Sequence, residues 1–309
     1  MQTFTHCRTS NLSICSFMPT TTLFLNPPIF PKRVDPKIIR RNHTTPVLST
    51  ALDTNGSGPL VTTRDGDQYS TAGLGQDQMP EHVAVILDGN RRWFKMRGLE
   101  LDYDPFLKSN MLVADLCLKW GIGTTTCFIY ALENMRRSEE TNELIFRQFE
   151  KFLAENFENF TSKSMKVSVI GESSMYPQSL KDMIKKVEKA TINFSKLELM
   201  FAVCYGGTRD VVHAARRICE NVKAGLVEPE NVGVSTVEQE LYTKNSRAPQ
   251  VDLLIRTGGH LRLSNYLLWQ SAEAELFFTD SKTMAPNFGE HVFLDALRSY
   301  QQRERTFGK

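Results

Sequence analysis

Apolar and polar positions alternate in blocks along residues 79–309. Val83–Leu87 is a short continuous apolar run, the pattern of a strand covered on both faces. Thr124–Tyr130, Lys166–Ile170, Leu197–Val203, Asp252–Ile255 and Leu276–Phe278 also read as strands, with Gly171 ending the third. Between them the apolar residues return at helical spacing. Leu107–Trp120 predicts a helix stopped by Gly121. Glu139–Phe160 predicts one long amphipathic helix with apolar Leu144, Ile145, Phe149, Phe152, Leu153 and Phe157. Ser138 is placed to cap it, and Glu139 and Glu140 favour the positive helix start. Leu180–Thr191, Thr208–Lys223, Thr236–Lys244 and Glu290–Gln302 predict the remaining helices. Strands alternating with helices of this length imply right-handed crossovers. The expectation is a single α/β domain with a mostly parallel central sheet flanked by helices.

Composition divides the chain. Residues 1–50 hold 13 Ser/Thr and six Lys/Arg but a single acid, Asp35. Such a tract buries little apolar surface; it is Ser-rich, basic and acid-poor, as an organelle transit peptide is. An ordinary disordered tail is the alternative. Residues 51–78, rich in Gly, Ser, Thr and Asp, read as a flexible linker, with residues 79–309 as the folded domain. Residues 1–75 carry seven Lys/Arg against four Asp in a chain of net charge +2, so the body is close to neutral. That excludes a broad nucleic-acid surface but leaves room for local arginines aimed at a small anion. No apolar run reaches about 18 residues, so no transmembrane segment is expected. The six Cys form no CxxC pair, and Cys117, Cys127 and Cys204 read as small core residues.

In a parallel sheet, ligands sit outside the carboxyl ends of the strands. The first strand ends in Asp88-Gly89-Asn90-Arg91-Arg92 and the second in Ala131-Leu132-Glu133-Asn134-Met135-Arg136-Arg137. The fourth ends in Cys204-Tyr205-Gly206-Gly207, and the fifth in Arg256-Thr257-Gly258-Gly259 with Arg262 and Ser264 beyond. Arginine gives planar, bidentate donors that match phosphate oxygens, and glycine lets backbone N–H groups approach an anion. A lone Asp among arginines suits Mg²⁺, which takes one or two carboxylates and completes its shell with phosphate oxygens and water. Singly, each feature has a plainer reading: an Asp88–Arg92 salt bridge, a solvated Arg136-Arg137 pair, a Gly258-Gly259 turn. Together they point to a Mg²⁺-dependent enzyme acting on diphosphates. No Walker A loop, GxGxxG or HExxH is present, and His82, His213 and His291 are scattered without a nucleophile arrangement.

These stretches resemble a known family. HVAVILDGNRRW at 82–93, ENMRRS at 133–138, YGG at 205–207 and DLLIRTGG…RLSNYLLWQ…AELFF from Asp252 to Phe278 are similar to the cis-prenyltransferases, the undecaprenyl-diphosphate-synthase-like enzymes. The similarity runs from about Met79 to Gly308, and with the N-terminal tract it suggests a short-chain plant member of the plastid stroma. The resemblance implies an α/β homodimer that takes dimethylallyl diphosphate, isopentenyl diphosphate or both. It implies Asp88, Asn90 and Asn134 as catalytic residues. Asp88 would hold Mg²⁺ against the allylic diphosphate, which Gly89, Asn90, Arg91, Arg92 and Arg137 would cradle. Arg256, Arg262 and Ser264 would grip the second diphosphate, and Glu275 would reach a metal across the dimer interface.

The departures from the family pattern are specific. The Gly-His pair expected after RRWxKxxG is lost in LDYDPF, with Pro105 where His is expected and Leu101 in place of an Arg. FSxENW becomes YALENM, so Ser is replaced by Ala131 and Trp by Met135; in GGExR the Glu becomes His260. The lost His and Ser belong to the group that orients the second substrate and helps remove its proton. Their absence favours irregular head-to-middle coupling of two dimethylallyl diphosphates to a lavandulyl-type C10 diphosphate. Regular neryl or cis-farnesyl diphosphate synthesis and a non-catalytic subunit of a heteromer are the alternatives. Ile129, bulky where long-chain members have a small residue, is expected to block chain growth.

Overall fold

A computed structural model of the chain describes residues 65–306. The expected transit peptide and the first part of the expected linker lie outside the described residues. Six strands form one sheet: β1 (His82–Ile86), β2 (Thr124–Ala131), β3 (Met165–Ile170), β4 (Leu197–Tyr205), β5 (Leu253–Arg256) and β6 (Glu275–Phe278). Their order is β3-β4-β2-β1-β5-β6 and every pairing is parallel. The four inner strands are buried almost throughout, which is why their sequences are continuous rather than alternating. The expected mostly parallel sheet is therefore wholly parallel. Helices flank it: α1 (Asp65–Ala72), α2 (Asn90–Met96), α3 (Asp104–Lys119), α4 (Glu139–Glu155), α5 (Phe157–Ser162), α6 (Gln178–Thr191), α7 (Gly207–Lys223), α8 (Val234–Glu238) and α9 (Glu290–Gln301).

Several local expectations change, each for a physical reason. The single helix over 139–160 is two: the backbone leaves helical geometry at Asn156 (φ −94°, ψ 6°), whose side chain also bonds back to the Phe152 carbonyl (2.9 Å). Ser138 stands at the N-cap of α4 without a side-chain cap bond; its hydroxyl pairs with Thr141 Oγ1 at 3.0 Å instead. The helix expected over Thr236–Lys244 ends at Glu238, and the Tyr242 N–H is drawn to Asp210 Oδ1 at 2.9 Å. Residues 65–78, expected as linker, hold α1, and the segment is docked: Tyr69 and Leu74 are buried, and Tyr69 meets Trp120 edge to face at 5.4 Å. The Gln301 side chain bonds both the N–H and the carbonyl of Gly75. Burial of Tyr69 against Trp120, with the hydrogen bonds from α9, outweighs the poor helix propensity of this stretch.

The threonines that open β2 are buried and satisfied: Thr125 donates to the Val83 carbonyl (2.9 Å) and Thr126 pairs with His82 Nε2 (2.8 Å). His82 is fully buried, and that burial lowers its pKa from 6.5 to about 4. It is neutral when folded but takes a proton in the unfolded chain below pH 6.5, so stability falls as pH drops from 6.5 towards 4. The shift corresponds to about 3 kcal/mol once pH is below the folded value. Urea midpoints measured from pH 7 to pH 4.5 are expected to fall, with a shallower slope in His82→Gln. Equal slopes would remove His82 as the cause.

Candidate active site

β1 lies between β2 and β5, so the segments that leave those three strands share one mouth. The register pairs Ile86 with Arg256, which sets Asp88 beside the start of the next loop. A cavity of about 340 Å³ opens there. Asp88, Gly89, Asn90, Arg91, Arg92, Asn134, Arg137, Arg256, Arg262 and Ser264 all line it. Five of these are arginines and Asp88 is the one carboxylate in the lining, so the field in the mouth favours a polyanion. The other wall is apolar and aromatic: Phe106, Phe128, Ile129, Tyr103 and Tyr130.

Asp88 is tied in at both carboxylate oxygens. Oδ1 accepts the Gly89 N–H at 2.6 Å and Oδ2 accepts Arg256 Nη2 at 2.7 Å. Its carbonyl accepts Thr257 Oγ1 (3.0 Å) and the Ala285 N–H (2.8 Å). Arg256 is only 3% exposed, and its Nη1 donates to Ser264 Oγ at 2.6 Å and to the Arg262 carbonyl. Arg92 does not pair with Asp88; its Nη2 donates to the Gly258 carbonyl at 2.7 Å. The sharp turn at Gly89 (φ 101°) needs glycine, and a Cβ there would stand 2.8 Å from Met284. Asn90 donates from Nδ2 to the Asp102 carbonyl (2.8 Å), while its buried Oδ1 has no protein partner. Arg137 lies 5.4 Å over the Tyr130 ring and donates to the Tyr103 hydroxyl at 3.3 Å. Burial raises the Tyr130 pKa to about 12, so it is a hydroxyl donor at neutral pH. At the rim, partial desolvation and then the Arg262 charge lower the pKa of His260.

Two of the features singled out in the sequence lie outside this cavity. Glu275 does not line the cavity: it opens the edge strand β6, paired in register with Leu253, three residues before the strand ends that form the mouth. Its carboxylate binds Arg303 at 2.5 Å. Within one chain, then, Asp88 and Glu275 are apart. The turn after β4 also stays out of the lining, so three strand ends rather than four converge. Conversely, Tyr103 and Tyr130 belong to the site and periodicity did not mark them. Tyr103 stands between helices in LDYDPF, where there is no repeat to read, and Tyr130 looks like any other aromatic in a buried strand.

Among the described residues no three His, Cys, Asp or Glu side chains gather to cage a metal. The donor set nevertheless fits a hard cation shared with a substrate. Each Asp88 oxygen accepts one hydrogen bond and keeps a second lone pair, and a bound diphosphate would supply the remaining oxygens.

The undecaprenyl diphosphate synthase family profile matches residues 86–308. The chain is 44% identical over 238 residues to the chloroplastic cis-prenyltransferase 4 of Solanum lycopersicum, covering 76% of this chain and 77% of that one. It is 43% identical over 232 residues to the chloroplastic (2Z,6Z)-farnesyl diphosphate synthase of the same plant, covering 74% and 79%. The crystal structure of lavandulyl diphosphate synthase from Lavandula x intermedia with dimethylallyl diphosphate superposes with a TM-score of 0.73 at 35% identity. That match covers 75% of this chain and 100% of the other. With an arginine-lined mouth at the ends of a parallel sheet and a family match over residues 86–308, the chain belongs to the undecaprenyl diphosphate synthase family of cis-prenyltransferases and is a prenyltransferase.

Proposed function

We propose that this prenyltransferase joins two C5 prenyl diphosphates to a C10 diphosphate by head-to-middle coupling of two dimethylallyl diphosphates. The observation that carries this reading is the chemistry of the cavity and its surroundings. Ala131 lines the cavity without a hydroxyl, and Pro105, at the start of α3 and outside the lining, stands where the family pattern has an imidazole. The structural match to a lavandulyl diphosphate synthase supports the same reading.

The residues divide the work. The allylic diphosphate lies on Gly89, Asn90, Arg91, Arg92 and Arg137, with the open Asn90 Oδ1 and the Asn134 side of the wall orienting its first carbon. The second diphosphate lies on Arg256, Arg262 and Ser264. As the C–O bond breaks, the arginines hold the charge that develops on the departing diphosphate. The double bond of the second molecule then attacks the allylic carbon, and the new cation loses a proton to a diphosphate oxygen. The products are one C10 diphosphate, one diphosphate and one proton. Aromatic walls exclude water from the cation, and Ile129 closes the way to longer chains. Mg²⁺ held by Asp88 would supply charge neutralisation at the leaving group.

Further features belong to the proposal. The chloroplastic relatives and the basic, Ser-rich residues 1–50 support import into the plastid stroma, with cleavage before the folded domain. A homodimer is supported by the half-buried Glu275-Leu276-Phe277-Phe278 on the sheet edge, the place from which Glu275 would reach a partner's site. Regular coupling to isopentenyl diphosphate is the second reading. It is favoured by the (2Z,6Z)-farnesyl diphosphate synthase relative, which is more similar in sequence than the lavandulyl enzyme.

The deciding experiment incubates the purified chain with Mg²⁺ and dimethylallyl diphosphate alone, dephosphorylates the product and separates it by gas chromatography. Lavandulol is expected. Nerol or farnesol appearing only after isopentenyl diphosphate is added overturns the irregular reading in favour of the regular one. No product under either condition points to a non-catalytic subunit.

A further inference from the structure

The turn after β4 stands out in the sequence as Tyr205-Gly206-Gly207, yet it does not line the cavity. What it holds is Asn265. The Asn265 carbonyl accepts the Gly207 N–H at 2.6 Å, and its Oδ1 accepts the Thr208 N–H at 2.8 Å. Its Nδ2 donates to Glu133 Oε1 at 2.6 Å. One residue thus joins the segments that follow β2, β4 and β5. The glycines make the room. Gly206 has an extended backbone (φ −153°) that any residue adopts, but a Cβ there would stand 2.9 Å from Asn265 Nδ2. A Cβ on Gly207 would stand 2.9 Å from Leu268 Cγ and 3.0 Å from its N.

The seated segment is strained. Ser264 (φ 51°), Asn265 (φ 57°) and Leu267 (φ 42°) all take the left-handed conformation, which asparagine tolerates and leucine resists. Such a run persists only where its surroundings hold it. Its outcome lies at the mouth: Ser264 Oγ sits 2.6 Å from Arg256 Nη1, and the Arg262 carbonyl lies on the same guanidinium.

We propose that Asn265, seated on the Gly206-Gly207 turn and tied to Glu133, is a positioning residue that holds the 262–264 loop in its diphosphate-gripping form. It also links that loop to the segment carrying Asn134 and Arg137. The inference rests on the assignment of Arg256, Arg262 and Ser264 to the second diphosphate.

The test is steady-state kinetics with Mg²⁺ and prenyl diphosphate substrate on Asn265→Ala, Asn265→Asp, Glu133→Gln and the Asn265→Asp/Glu133→Gln double variant, with Arg262→Ala as control. Asn265→Ala is expected to raise KM about three- to tenfold, the worth of one or two hydrogen bonds, with kcat within about twofold. Asn265→Asp sets a carboxylate against Glu133 and raises KM at least as much. Glu133→Gln stays near wild type, because its amide oxygen still accepts from Asn265. The double variant restores KM to within about twofold, since the amide introduced at position 133 then donates to the carboxylate introduced at position 265. A fall in kcat without a rise in KM for Asn265→Ala overturns the positioning role. A double variant no better than Asn265→Asp overturns the tie to Glu133. An unchanged KM in Arg262→Ala sinks the subsite assignment, whereas a strong Arg262→Ala effect beside a silent Asn265→Ala sinks only the clamp.

Discussion

Asp88→Asn is expected to lower kcat/KM by roughly a thousandfold or more while the protein still folds. The amide keeps the shape of the carboxylate and one acceptor oxygen for Gly89 N–H or Arg256 Nη2. What it loses is the negative charge, the only one in a cavity wall of five arginines. That charge is the proposed hold on the divalent cation, and an amide oxygen is a far poorer ligand for a hard ion. Either substitution removes the counter-charge of the Arg256 guanidinium, 3% exposed, but Asp88→Ala also removes its hydrogen-bond acceptor. The pair therefore separates catalysis from folding: both variants are inactive, and the alanine variant loses more thermal stability than the asparagine variant. Turnover within tenfold of wild type in Asp88→Asn would reject a charge-dependent role at this position.

Arg256→Ala is the second large effect. One buried guanidinium holds Asp88, Ser264 and the Arg262 carbonyl at once, so its loss releases both proposed diphosphate groups together. Activity is expected to fall by about two to three orders of magnitude. Stability should fall by about 1–3 kcal/mol as the freed polar groups lose their partner. Arg256→Lys should not restore function, because an ammonium on a flexible stem cannot reproduce the planar fork. Kinetics and thermal unfolding on the same preparations check both halves. A lysine variant with KM within twofold of wild type would show that charge alone suffices there.

The two variants also test how the site is assembled. Asp88 and Arg256 are 168 positions apart in sequence, yet they meet because β1 and β5 are adjacent and Ile86 is in register with Arg256. The plain alternative of an Asp88–Arg92 pair, suggested by nearness in sequence, does not occur: Arg92 turns to Gly258 instead.

Much of the architecture could be read from the chain alone. Parallel strands covered on both faces are apolar at most positions, so Val83–Leu87 and, apart from Glu198, Leu197–Val203 announce themselves as buried strands. Because parallel strands carry their ligands at the carboxyl ends, the pattern alone puts Asp88, Arg92, Arg137 and Arg256 at the mouth, where the fold has them. The chain could not give the strand order, since crossover helices permit several. That order brings the ends of β1, β2 and β5 together and leaves the turn after β4 beside Asn265 rather than in the cavity. Nor could it place α1, whose composition is that of a linker and whose order comes from burying Tyr69 against Trp120. Local propensity and hydrophobic period act over a few residues and are written in the sequence. The choice of partner for a carboxylate, a guanidinium or an amide is made through space, by sheet register and burial, and these exist only once the chain has folded.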